Sequence, residues 1–379
     1  MPSLLRPVRI RDRTEAHRAS TPLELLFDLC FVVAIAVLAA ELHYGLADGH
    51  VAAGIAGYLL VFVPVWWAWM SYTWYATAFD NDDVLFRVLT LLQMAGVLVL
   101  AASVPSLQSG NPVPFTLAYT AMRVPLVIQW LRAARDDVGY RRFALRYAIG
   151  IVAAQGVWLL ALAVPTPGRW AVWGTALALE LLTPIWSTRV SPERAFHAGH
   201  IAERYGLFTI IVLGESILSV SIGIRDALDV GSIDTATVAI CASALVAAFG
   251  VWWLYFDTLG RKALERHRRA AFTWGYGHAL LYASIAAIGA GTQAQLDGLA
   301  PQVWWFAVPV GLGLLSMAWL QQSANVETRS AALLTITVLA LIGAATALQS
   351  HIAVADAAVA VLVLVAVGIE TWRRRGSRS

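Results

Sequence analysis

The chain of 379 residues is 59% hydrophobic and only 13% charged, with a formal net charge of +3. A soluble domain carries roughly 25% charged residues, so this composition excludes a water-soluble protein over most of the chain and makes the bilayer its solvent. Two cysteines, Cys30 and Cys241, both inside apolar runs, exclude a disulfide framework and lack metal-ligand spacing, and they read as buried, inert thiols.

In chain order, residues 1–21 form a basic tail containing Arg6, Arg9, Arg11, Arg13 and Arg18. The apolar stretch that follows is interrupted by Asp28, so it reads as a retained first helix with a cytoplasmic amino terminus and not as a signal peptide. A helix needs about 20 mainly apolar residues to cross the hydrocarbon core. Spans are predicted at 23–40, 51–74, 84–104, 115–131, 143–163, 170–187, 205–223, 234–257, 271–291, 302–320, 331–349 and 352–372. Asp80, Asn81, Asp82 and Asp83 end the second, the Pro/Gly/Asn cluster from Pro105 to Pro114 ends the third, and a tight turn from Pro165 to Gly168 follows the fifth. The expected class is an all-α polytopic membrane protein of about twelve transmembrane helices.

The cations support this alternation. Of 27 Lys and Arg residues, 24 fall in the two tails, in every second gap or, as Arg87 and Arg146, in the first turn of the span that follows such a gap, whereas only Arg169 and Arg225 fall in the intervening gaps and Arg123 lies deep inside a span. By the positive-inside rule both termini are expected on the cytoplasmic side of the membrane. The basic balance points to anionic inner-leaflet lipid and away from nucleic acid.

The chain also resembles itself. Glu24-Leu25-Leu26-Phe27-Asp28 leads the first span and Glu203-Arg204-Tyr205-Gly206-Leu207-Phe208 the seventh, while Val65-Trp66-Trp67-Ala68-Trp69 matches Val251-Trp252-Trp253-Leu254-Tyr255. Two parallel six-helix repeats follow from that reading: a first half at 22–188, a cytoplasmic linker at 189–204, a second half at 205–372 and a basic tail at 373–379. The alternative is that the Trp pairs are interfacial aromatic belts.

Ionisable residues inside spans are costly and mark candidate sites. Arg123, Glu180 and Glu215 fall at similar depth near the midplane, and Arg123 is expected to pair with one of the two glutamates. Such a set either fixes helix register or forms an ion, proton or anion path. Nearer the cytoplasm, Glu24, Asp28, Asp80, Asp82, Asp83, Asp257 and His278 read as an acidic inner mouth, with Glu24 one helical turn before Asp28 on the same face. For the three loop aspartates, capping and solvating a turn is the alternative, and His278 alone fits a hydrogen-bonded core histidine.

No phosphate loop, dinucleotide fingerprint or hydrolase motif is present, and Ser216 in Leu213-Gly214-Glu215-Ser216 has no evident histidine partner. No catalytic residue, cofactor or metal is expected. The reading is a transporter or channel for a small ion or solute, its partners the lipid bilayer, that solute and a second copy of the chain. The alternatives are a membrane-embedded enzyme or accessory factor acting on lipid or envelope components, and a scaffold.

Three segments carry a family resemblance: Thr21-Pro22-Leu23-Glu24-Leu25-Leu26-Phe27-Asp28-Leu29, then Trp74-Tyr75-Ala76 leading to Phe79-Asp80-Asn81-Asp82-Asp83, then Glu203-Arg204-Tyr205-Gly206-Leu207-Phe208 through Leu213-Gly214-Glu215-Ser216. Together they resemble the bacterial low temperature requirement protein A family, over about residues 18–370. Cys30 and Ala34 stand where that family is expected to carry Val and Phe. The resemblance implies a multi-spanning cytoplasmic-membrane protein linked by name to growth in the cold, which specifies no mechanism.

Overall fold

The computed structural model describes residues 4–11, 18–47, 49–79, 81–191, 196–229, 231, 233–259, 268–298, 302–323 and 328–376. Among them it is all helical. The helices are α1 (Pro22–Ala47), α2 (Val51–Phe79), α3 (Val84–Gln108), α4 (Val113–Asp136), α5 (Arg141–Leu160), α6 (Gly168–Thr188), α7 (Ala198–Asp229), α8 (Thr235–Thr258), α9 (Arg268–Leu296), α10 (Trp304–Ser323), α11 (Thr328–Ala347) and α12 (Ile352–Gly376). Each of the twelve apolar stretches lies in its own helix. Nine of these helices are long and apolar enough to cross a membrane; α4, α6 and α9 are less apolar.

Local chemistry sets the helix ends. Asp83 caps α3 by accepting from the Phe86 amide at 2.7 Å, and Asp234 caps α8 through the Thr237 amide at 2.7 Å. Pro105 does not end α3, which runs three residues further to Gln108; a proline near a helix end removes only one main-chain bond. α7 starts at Ala198, ahead of its apolar run.

The chain divides into two compact units, Met1–Val37 with Val63–Arg204, and Leu38–Phe62 with Tyr205–Ser379. In the first, α3, α4, α5 and α6 pack in succession. A methyl on Gly96 of α3 would fall onto Met122 of α4, 3.0 Å from its Cα, so glycine is what lets these two backbones approach. In the second unit, α8 packs on α9, α10 and α12, and α9 to α12 pack in succession. There Gly45 and Gly54 make the equivalent close approach, a Cβ on Gly45 falling 2.7 Å from the Gly54 Cα.

Burial runs opposite to that of a soluble protein. Val88, Leu91, Leu92, Leu98 and Val99 form an exposed apolar stripe on α3, and Val354, Val361, Leu364 and Val365 another on α12. Glu24, Asp28, His200, Arg204, Arg123 and Glu180 are buried. Apolar faces of this extent need lipid as their solvent. The protein is therefore a multi-pass membrane protein in contact with the bilayer.

Candidate functional site

The first unit holds a fully buried ionic set built on three helix faces, each with residues spaced by four. Thr21 and Glu24 start α1 with a capping box: Glu24 Oε2 accepts from the Thr21 amide at 2.9 Å and its hydroxyl at 3.0 Å, while the Glu24 amide donates to Thr21 Oγ1 at 3.3 Å. Asp28 follows one turn later. On α7 the His200 amide donates to His197 Nδ1 at 3.1 Å, which caps that helix, and Arg204 lies one turn beyond His200. On α2, Trp69, Thr73 and Thr77 repeat at the same spacing.

These faces meet in two rungs. In one, Arg204 Nη2 donates to Asp28 Oδ1 and, at 3.4 Å, to Thr73 Oγ1, and Trp69 Nε1 donates to Asp28 Oδ1 at 2.7 Å. In the other, His200 lies between Glu24, 3.2 Å from Nε2, and the Thr77 hydroxyl, 2.9 Å from Nδ1. Arg204 Nη1 joins the rungs at 3.0 Å from Glu24 Oε1. Arg18 closes the end of the set by donating to the carbonyl oxygens of Thr77 and Ala76 at 2.5 and 2.9 Å. Glu24, Asp28, His200 and Arg204 are each 0% exposed. One guanidinium thus serves two carboxylates, and Asp28 Oδ2 has no hydrogen-bond partner among the described residues.

Sequence reasoning flagged Glu24 and Asp28 but counted Arg204 among loop cations and missed His200, Trp69, Thr73 and Thr77. The signal was present in the matched four-residue spacing of Glu24/Asp28 and His200/Arg204.

Arg123 on α4 has Glu180 on α6 as its carboxylate, Nη2 to Oε2 3.2 Å. Glu180 also accepts from Tyr119 at 2.7 Å and from Gln155 at 2.6 Å. The guanidinium lies over the Tyr119 ring, 5.7 Å from its centroid, and donates to Ser71 Oγ at 3.3 Å. Phe115, Tyr119, Trp158 and Trp173 pack ring against ring beside the pair. Glu215 lies on α7 in the second unit and makes no hydrogen bond or ion pair among the described residues. Arg123 thus pairs with Glu180, one of the two glutamates expected for it.

The remaining described inner-mouth residues each have partners of their own. Asp82 is exposed and bound by Arg87 through two 2.8 Å hydrogen bonds, which hold its carboxyl below the ordinary carboxylate range. Burial would push the Asp83 carboxyl up, but Arg132, 2.6 Å away, and the amides of Arg6 and Phe86 together hold it below its usual value. Asp257 is exposed and accepts from Trp253 of its own helix at 3.0 Å. His278 is fully buried in the second unit between the Tyr255 hydroxyl at 3.1 Å and the Trp274 carbonyl at 2.6 Å, which is the bonding of a core histidine. Asp80 lies outside the described residues.

Arginine and main-chain donors thus neutralise the described loop aspartates. Amides at alternate residues of the amino-terminal segment participate: Arg6 bonds Asp83 at 2.9 Å, Val8 bonds Asp136 at 3.0 Å and Ile10 bonds Asp137 at 3.0 Å. This part of the basic tail is an extended strap, with Val8 buried beneath it. Ser216 spends its hydroxyl on the Ile285 carbonyl at 3.2 Å and is not placed as a nucleophile.

Among known proteins, an uncharacterised protein of Rhizobium meliloti is 28% identical to this chain over 303 residues, covering 76% of this chain and 71% of its own length. The model of the family described as bacterial low temperature requirement A protein (LtrA) matches residues 19–367, which include all three motif segments and every residue of the α1–α2–α7 set except Arg18. With that match over most of its length, the chain belongs to the bacterial low temperature requirement A (LtrA) family.

Proposed function

We propose that this protein is an inner-membrane transporter or channel for a small ion or solute, with Glu24, Asp28, His200 and Arg204 as its working site. The observation that carries the reading is the shared guanidinium: Arg204 bridges two buried carboxylates while one oxygen of Asp28 stays open. A pair that only fixes helix register needs one acid and one base. Here a second acid shares the same cation and a histidine sits against that acid, so the partnership of Arg204 can shift between Asp28 and Glu24 as a proton or an ion joins the set. Arg123 and Glu180, one base against one acid with further bonds to Ser71, Tyr119 and Gln155, hold the α4–α6 scaffold.

The arrangement in the membrane is twelve spans with both termini cytoplasmic, and the two six-helix repeats share one orientation. The cation census and the inner-end strap support it. Purified protein in proteoliposomes, loaded with a pH-sensitive dye and challenged in turn with potassium, sodium, chloride and proton gradients, tests the reading. A protein-dependent flux for one of these supports it, and rates equal to empty vesicles for all four contradict it.

A further inference from the structure

Another buried carboxylate lies outside the set just described, in the second unit. Asp356, the fifth residue of α12, is 1% exposed and has no cationic side chain within ion-pair reach among the described residues. Its Oδ1 is 3.5 Å from Gln295 Nε2, and the same amide nitrogen donates to the Gln302 carbonyl at 3.0 Å, which fixes the orientation of the Gln295 carboxamide. Two oxygens are then left over, Asp356 Oδ2 and Gln295 Oε1, both buried and both without a partner among the described residues. Gln295 is 4% exposed and lies in the last turn of α9, where free carbonyls give the helix end partial negative charge.

A lone buried carboxylate among apolar side chains is costly, and only a proton or a bound cation relieves it. A proton satisfies one of the two open oxygens as donor and one as acceptor. It does nothing for the negative end of α9 or for the second lone pair of the Gln302 carbonyl. Carboxylate, carboxamide and main-chain carbonyl are hard oxygen ligands, and the set carries a single formal negative charge. A divalent ion would leave a net positive charge buried; a monovalent one leaves none.

We propose that Asp356, Gln295 and the Gln302 carbonyl form a binding site for a monovalent alkali cation between the end of α9 and the start of α12. The site is independent of the transport reading, because its test measures binding without flux.

The test is the thermal unfolding of the full-length protein in detergent, followed by tryptophan fluorescence, in sodium, potassium or choline chloride at equal ionic strength and fixed pH. The expected result is a midpoint a few degrees higher in at least one alkali salt than in choline, rising with concentration to a plateau. Asp356→Asn, which keeps the side-chain shape, abolishes that dependence. Gln295→Leu shifts the half-saturating concentration upward at least tenfold. Gly174→Ala, at an open helix position in the other unit, leaves it unchanged. Equal midpoints in all three salts overturn the proposal and leave Asp356 as a protonated residue. Persistence of the alkali effect in Asp356→Asn also overturns it. If Asp356→Asn cannot be purified folded, an unchanged concentration dependence in Gln295→Leu serves as the contradicting result.

Discussion

Asp28 and Arg204 are 176 residues apart in the chain, yet their side chains share a fully buried hydrogen bond, and neither is paired only to the other. Arg204 also reaches Glu24, and Asp28 also takes the indole of Trp69. The start of α7 is thereby held to the starting turns of α1, and any change of charge at one acid is felt at the other.

Removing the shared cation has the largest effect. Arg204→Met leaves two buried carboxylates facing each other, and the cost of stripping one partner from a buried ionic set is about 3–5 kcal/mol. The loss shows as a fall in the detergent melting midpoint and in monodisperse yield. Glu24→Gln in the Arg204→Met background restores part of it, because fewer unpaired charges remain. A double variant no better than Arg204→Met alone contradicts the shared-cation geometry.

The Arg123–Glu180 pair separates the two glutamates placed at similar depth. Arg123→Met and Glu180→Leu each cost about 3–5 kcal/mol, and the double variant costs clearly less than their sum. Tyr119→Phe, which removes one of three donors to Glu180, costs about 1–3 kcal/mol. Glu215→Gln changes stability by no more than about 0.5 kcal/mol, since no side-chain partner is lost. Melting midpoints of the four single variants and the double variant check the set.

Acid sensitivity resides in the loop that joins α2 to α3. Asp83 has its carboxyl held below the ordinary value in the folded protein, so the stability it contributes is complete above the unfolded-state value of 3.8 and is lost as pH falls through the lower folded value. Asp83→Asn therefore costs about 1–2 kcal/mol at neutral pH through the weakened cap and the lost Arg132 pair. The difference between wild type and variant stays constant down to about pH 5 and closes in stronger acid. Melting midpoints from pH 3 to 7 decide it. A difference that grows on acidification has the wrong sign for this geometry.

Glycines in the spans divide into two kinds. Gly96→Ala places a methyl against Met122 and costs more than about 1 kcal/mol, as overpacking does. Gly174→Ala meets nothing within 4 Å and is neutral or slightly stabilising, because it improves helix propensity. Parallel melts of the two variants check the contrast.

Hydropathy and the polar breaks between apolar runs located every long helix among the described residues, because both follow from the thickness and polarity of the bilayer. They missed the first turns of α7 for the same reason: His200, Glu203 and Arg204 are polar, and a helix that buries its polar face against other polar side chains has no apolar signature. Depth alone could not choose between Glu180 and Glu215, since depth contains neither the azimuth of a helix face nor which unit the helix belongs to. The loop aspartates looked like an open acidic mouth because Arg132 and the amides of residues 6–10, which neutralise them, come from distant positions in the chain.

The α1–α2–α7 set is proposed as working machinery and not only as a helix clamp. The decisive measurement compares protein-dependent ion flux in proteoliposomes for wild type and Asp28→Asn, with the two samples matched for folded protein by melting midpoint and size-exclusion profile. The account predicts that Asp28→Asn, which keeps the shape and the Trp69 contact but removes the charge, folds and loses at least about nine-tenths of the flux. Full flux in the folded variant would contradict it.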